Sequence, residues 1–223
     1  MLFRSGRRAA SLAAAALTLA LVAGASLGAA PPPAEDAPQF VHVNLDAREY
    51  SLGRSDAPIT LLEFTDYQCP YCRRFQAEAW PQIKKNYIDT GKLRFIVRDL
   101  PLQFHSSALP AAEAAHCAGE QGKFWEMHHA LLTGDDPLAD GGIDRRATQL
   151  GLDLERLHAC TRANRYESAI ARNIAAADAL EVHGTPAFVL GRMANGGLEG
   201  QLVSGAQPYN EFDAAFRQLL AQH

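Results

Sequence analysis

Two cysteines, Cys69 and Cys72, flank Pro70 and Tyr71 in a stretch that reads as the first turn of a helix. At that spacing they can close a small disulfide, and the first also meets the unpaired N–H groups and positive dipole end of the helix. Such a setting favours the thiolate, which makes Cys69 a nucleophile at neutral pH and a good leaving group in exchange. Cys72, one turn further in, is expected to be more buried and to act as the resolving thiol. Pro70 suits an early helical position, because its missing N–H would find no partner there anyway. Two other uses of the pair compete with this one. A zinc site needs two more ligands at suitable spacing, and neither a second Cys-x-x-Cys nor a His-x3-His pair is present; His128 and His129 are adjacent and would face different ways. A purely structural bridge across two residues would restrain little chain entropy. Redox-active thiols are the preferred reading.

Glu63 lies six residues before Cys69, inside the apolar run Ile59–Phe64. An unpaired carboxylate there would be costly, so its pKa should rise; an ion pair with a basic residue elsewhere is the alternative. Asp66 reads as a solvated cap.

The elements that must position these groups follow from periodicity. Ile59–Phe64 has the β-branched and aromatic content of a buried strand, and Phe75, Ala79, Ile83 and Tyr87 recur at helical spacing after it. The cysteines therefore sit at a strand-to-helix joint. Leu93–Arg98 reads as a second strand parallel to the first, giving a βαβ unit. From Ser106 to about Leu180 the chain turns Ala-rich, with three or four helices broken at Gly134–Pro137 and Gly141–Gly142; Asp153 starts one of them as an N-cap. His116 and His158 are read as surface residues of these helices, and Phe124, Trp125, Leu131 and Leu132 as core or lid. At Gly184-Thr185-Pro186 the strand vocabulary returns, then a hairpin through Asn195-Gly196, and a closing helix carries Phe212, Phe216 and Leu219 on one face. The order β-α-β, helical block, β-β-α is a split α/β domain with an all-helical insertion at about 105–182, within a domain spanning 56–223. Residues 31–55 are read as an N-terminal extension.

The first 30 residues differ from the rest. They hold three of the 21 basic residues and none of the 25 acidic ones, and Arg4, Arg7 and Arg8 precede an uncharged Ala/Leu-rich run. This is the layout of a secretory signal, with candidate cleavage points after Ala25, Ala29 or Ala30; an uncleaved anchor is the alternative. The Arg7-Arg8 pair is weak evidence for a twin-arginine route. Removing residues 1–30 moves the formal charge from −4 to −7 in a chain that is 48% hydrophobic. An acidic chain without a Lys/Arg run argues against nucleic acid and against an anionic membrane surface. Export permits disulfides, and four cysteines are too few to replace a hydrophobic core.

At this point the sequence resembles the exported DsbA-like branch of the thioredoxin superfamily. The resemblance rests on Glu63-Phe64-x-Asp66-Tyr67-x-Cys69-Pro70-Tyr71-Cys72 and on Gly184-Thr185-Pro186-Ala187-Phe188 about 115 residues later, with a helical insertion between them. It covers residues 50 to 223. It implies a thioredoxin fold with an all-helical insertion, an active disulfide at Cys69/Cys72, and a cis-proline at Pro186 beside it. The backbone at Thr185 would then pair with an extended substrate, with Pro70 and Tyr71 flanking it. In the family the acidic residue matching Glu63 lies beneath the disulfide and exchanges a proton with the resolving thiol. Cys117 and Cys160 are expected to staple the insertion, as in many DsbA-like proteins, with two free thiols or a second relay as alternatives. Donation of disulfides to exported proteins is the favoured activity. A reductase or isomerase is the first alternative, since Tyr71 replaces the histidine of the strongly oxidising members. A non-catalytic folding module is the second. The expected partners are exported substrate proteins and a membrane redox protein. The chain is expected to act as a monomer, and no metal, nucleotide or flavin site is suggested.

Overall fold

The computed structural model describes residues 39–46, 49–135 and 137–222. The basic start and apolar run read as a signal fall outside them. A six-stranded sheet forms the centre, in the order β1-β6-β5-β3-β4-β2. Its middle strand, β3 (Ile59–Thr65), pairs parallel with β4 (Leu93–Asp99) and antiparallel with β5 (Ala187–Ala194). All seven residues of β3 are buried, because helices cover both faces of the sheet and no side chain can alternate out to water. That accounts for the unbroken apolar run in the sequence and for the cost imposed on Glu63 within it.

Helix α1 (Pro70–Glu78) follows β3, then a short α2 (Trp80–Ile83) that widens into a π-helix over Lys84–Ile88 before β4. On one face of the sheet, Ile59, Leu61, Phe95, Val97, Phe188 and Leu190 pack under α1 and the closing helix α8 (Tyr209–Leu220). Phe75 of α1 touches both Phe188, at 4.7 Å between ring centroids, and Phe212 of α8, at 5.5 Å. The other face, with Leu62, Phe64, Ile96 and Val189, packs against Ala177 and Val182.

The insertion contains five helices: α3 (Ala108–Gly119), α4 (Phe124–Thr133), α5 (Gly142–Gln149), α6 (Leu154–Arg162) and α7 (Glu167–Ala179). Three or four were expected; α5 and α6 have only eight and nine residues, too short for their periodicity to separate them. Asp153 caps α6, its carboxylate accepting the Arg156 amide at 3.0 Å. Ala177 places α7 on the second sheet face rather than in a separate bundle.

The stretch read as an N-terminal extension supplies two strands. β1 (Phe40–Asn44) adds antiparallel to β6 (Gly197–Ser204) at one edge, and β2 (Tyr50–Leu52) adds to β4 at the other. A buried ion pair between Glu49 and Arg98 ties their connection to the sheet. The β5–β6 hairpin turns at Asn195 and Gly196, both with positive φ (50° and 79°), the geometry that an Asn-Gly pair adopts at low cost.

Candidate active site

Cys69 is the N-cap of α1, extended at φ −68° and ψ 124°, and Pro70 takes the first helical position. Both cysteines are unbridged thiols, Cys69 3% exposed and Cys72 fully buried. The Thr185–Pro186 peptide bond is cis, and the Thr185 carbonyl accepts from the Cys69 thiol at 3.2 Å. Two segments more than a hundred residues apart in the chain thus meet at one sulfur.

The electrostatics separate the two thiols. The Cys69 pKa is pulled down to about 5, first by the hydrogen bond from the Cys72 side chain, with Thr185 and the amides of Cys72 and Tyr71 adding to it against an opposing burial cost. Burial drives Cys72 the other way, well above the ordinary thiol value, helped by the proton it lends to Cys69 and by the charge of Glu63. Glu63 itself is fully buried, with no hydrogen-bond partner for either carboxylate oxygen among the described residues. Burial pushes its pKa up to about 8; the Thr65 side chain opposes this and the Cys69 charge adds to it. A carboxyl that is protonated near neutrality therefore lies close enough to the thiol pair for mutual electrostatic influence, and no basic residue among the described ones pairs with it.

Pro70 and Tyr71 are exposed, Tyr71 by 54%, with the Arg74 guanidinium 5.1 Å above its ring. Three polar ties join α1 and its turn to α4: the Tyr67 hydroxyl with His128 Nδ1 at 3.0 Å, Gln76 with His129 at 3.0 Å, and Arg73 donating to the Gly134 carbonyl at 2.7 Å. His128 is buried, which lowers its pKa to about 4 and leaves it neutral as Tyr67's partner. Cys117 and Cys160 form a disulfide between α3 and α6, buried and with an S–S distance of 2.00 Å.

Two expectations need correction. Asp66 is not a solvated cap: it is 1% exposed, and four donors converge on its carboxylate. His116 is not a surface residue: it is 7% exposed and lies 2.7 Å from Asp99 at the end of β4. His158 does sit at the surface, paired with Asp144 at 3.0 Å. Part of the Asp66 arrangement was signalled in the sequence, since an Asp two and three residues before free amides forms an Asx turn. Its other two donors come from a loop that no local pattern points to.

A thiol pair at a helix N-terminus, facing a cis-proline turn on a mixed sheet with a helical insertion, gives the chain a thioredoxin fold of the DsbA-like form. A family model described as Thioredoxin matches residues 46–214, and the chain belongs to that family. Among solved structures it is similar to alpha-DsbA1 of Wolbachia pipientis, with TM-score 0.73 and 24% identity over 80% of this chain and 94% of that one. It is also similar to a thioredoxin-like oxidoreductase from Silicibacter pomeroyi DSS-3, with TM-score 0.66 and 31% identity over 78% and 92% of the two chains. Among curated proteins it is 39% identical over 161 residues to the Na(+)/H(+) antiporter NhaA 3 of Salinispora tropica, a match covering 71% of this chain and 24% of that protein. The chain thus spans about a quarter of the length of the curated relatives it matches. No helix among the described residues is long and apolar enough to cross a membrane.

Proposed function

We propose that the chain is an exported thiol-disulfide oxidoreductase that donates the Cys69–Cys72 disulfide to folding proteins. The observation that carries this is the placement of the pair: Cys69 is the N-cap of α1, 3.2 Å from the carbonyl of the cis Thr185–Pro186 turn, with Cys72 fully buried behind it, a setting that draws the first thiol's pKa down and pushes the second's up. A substrate thiolate attacks Cys69 Sγ, breaking the bond to Cys72 and forming a mixed disulfide. A second substrate thiolate then attacks its partner sulfur, and Cys69 leaves as the thiolate. The substrate has lost two electrons and two protons: the electrons reduce the cysteine pair, one proton ends on Cys72, and the other goes to solvent because Cys69 stays a thiolate. A leaving group of low pKa speeds release, and a stabilised thiolate in the reduced form makes the disulfide more oxidising. Glu63 takes up and returns the proton of Cys72 during the cycle. Thr185 offers its backbone to an extended substrate, with Pro70, Tyr71 and Pro186 shaping the approach.

Export is supported by the basic start and apolar run of residues 1–30 and by the Cys117–Cys160 bridge, which an oxidising compartment preserves. A membrane redox protein reoxidises the pair, and the chain acts as a monomer. Ion transport is not carried over from the antiporters, since the match covers only 24% of that protein's length.

The test is the reduction potential of the pair, from equilibration of the purified protein with glutathione buffers and trapping of the thiols. A value of about −120 to −180 mV supports donation, whereas one near −270 mV makes donation unfavourable and assigns the same site to a reductase.

A further inference from the structure

The Asp66 carboxylate takes no part in the exchange steps, yet it is buried and fully occupied. Its Oδ1 accepts the amides of Gln68 at 2.7 Å and Cys69 at 3.1 Å; its Oδ2 accepts the Leu102 amide at 2.8 Å and lies 2.9 Å from His105 Nδ1. The two oxygens therefore serve different segments, one the turn that carries Cys69, the other the loop between β4 and α3. The Asp66 backbone reaches both cysteines as well: its carbonyl accepts the Cys69 amide at 3.1 Å, and its own amide points at Cys72 Sγ at 3.5 Å. Gln68 repeats the tie, its side-chain oxygen accepting the Ser107 amide at 2.7 Å. Charge-assisted bonds of this kind are short, directional and about twice as strong as neutral ones.

We infer that Asp66 is a positioning residue for thiol exchange, clamping the Cys69 turn to the Leu102–His105 loop so that Cys69 Sγ stays at the N-terminus of α1 and against Thr185. Without the carboxylate, the Gln68 amide loses its acceptor, the Cys69 amide keeps only the Asp66 carbonyl, and the extended N-cap conformation of Cys69 loses part of its support. The sulfur then drifts from the helix amides that favour its thiolate, and the thiolate becomes less stable. The opposite sign would follow if Asp66 acted only as a charge, because removing a nearby anion stabilises a thiolate. Direction therefore separates positioning from simple electrostatics, and a purely structural role would move neither.

The inference rests on the exchange reading of Cys69, and its test does not depend on that activity. Asp66→Ala removes all four bonds; Asp66→Glu keeps the charge and displaces both oxygens by one methylene. In the full reduced chain, the pH dependence of thiolate absorbance and of iodoacetamide alkylation gives the Cys69 midpoint, beside unfolding in denaturant. The expected result for Asp66→Ala is a midpoint raised by about one pH unit toward an ordinary thiol. That is about tenfold less thiolate at limiting pH, or about 30 mV in the two-electron potential. Asp66→Glu should shift the midpoint upward by a smaller step. An unchanged or lowered midpoint in either variant that folds overturns the inference, whatever its stability; if only one folds, that one decides. A wild-type protein without exchange activity would sink the functional proposal while leaving this titration readable.

Discussion

At the scale of single residues, the site is a division of protonation between three groups that share one buried space. Iodoacetamide should alkylate Cys69 with a half-maximal rate near pH 5, where an ordinary thiol needs a pH of about 8.5, while Cys72 stays unreactive across that range. Cys72→Ser should accumulate mixed disulfides with substrates, visible as adducts on non-reducing gels; none in cell extracts would mean that nucleophile and resolver are wrongly ordered. Glu63 carries the opposite sign from Cys69 in the pH dependence of stability. Its folded pKa lies above its unfolded value, so its contribution is complete at acid pH and is lost as the pH rises through about 8. The Cys69 value lies below its unfolded one, so the reduced form holds that stability above the ordinary thiol range and loses it as the pH falls through about 5. Glu63→Gln should flatten the decline in stability between pH 4.5 and about 8 in denaturant titrations and slow exchange by about 10²-fold, the usual scale of a lost proton-transfer group. A variant with wild-type pH dependence and rate would remove Glu63 from the proton cycle. The cysteines, Glu63 and Thr185-Pro186 were legible in the sequence because their spacing is local and their chemistry is narrow. Asp66 and His116 were misread because the groups that bury them, the Leu102–His105 loop and Asp99, arrive only with tertiary packing.

Among the elements, the joint between β3 and α1 holds the thiol pair, and the insertion is tied to it through α4. Three polar ties run from α1 and its turn to α4, so the insertion braces the active-site helix as well as covering it. Phe75 locks the same helix from the sheet side, and Phe75→Ala should cost about 3–5 kcal/mol in denaturant unfolding, as truncation of a buried aromatic does. The Cys117–Cys160 bridge closes a separation of 43 residues, for which loop entropy gives about 4 kcal/mol. Cys117→Ser should lower stability by roughly that amount while thiol exchange persists; equal stability with lost activity would make the bridge a functional relay instead. The βαβ unit, the hairpin and α8 were readable from periodicity. The division of the insertion into five helices was not, because Gly141-Gly142 and Gly151 separate segments of only two or three turns.

For the molecule as a whole, the sheet is wider than the segment that bears its chemistry. The family match starts at residue 46, yet β1 lies before it and covers the edge of β6, with Val43 in the second core. A short extended stretch within 31–58 is all that the sequence signals here, since strands of five and three residues leave almost no periodic pattern to fix their bounds or pairing. A chain starting at residue 46 should keep the thiol pair but unfold at lower denaturant and self-associate through the bared β6 edge, as light scattering would detect. If it stayed monomeric and equally stable, β1 would be dispensable decoration. The buried bridge between α3 and α6 also bears on how the protein matures. In a reducing compartment the insertion would lack its staple, which would make the chain easier to keep unfolded during the proposed export. On the proposed export, a newly exported copy gains this stabilising bridge only outside, which makes it a substrate for the same kind of exchange that Cys69 and Cys72 are proposed to carry out.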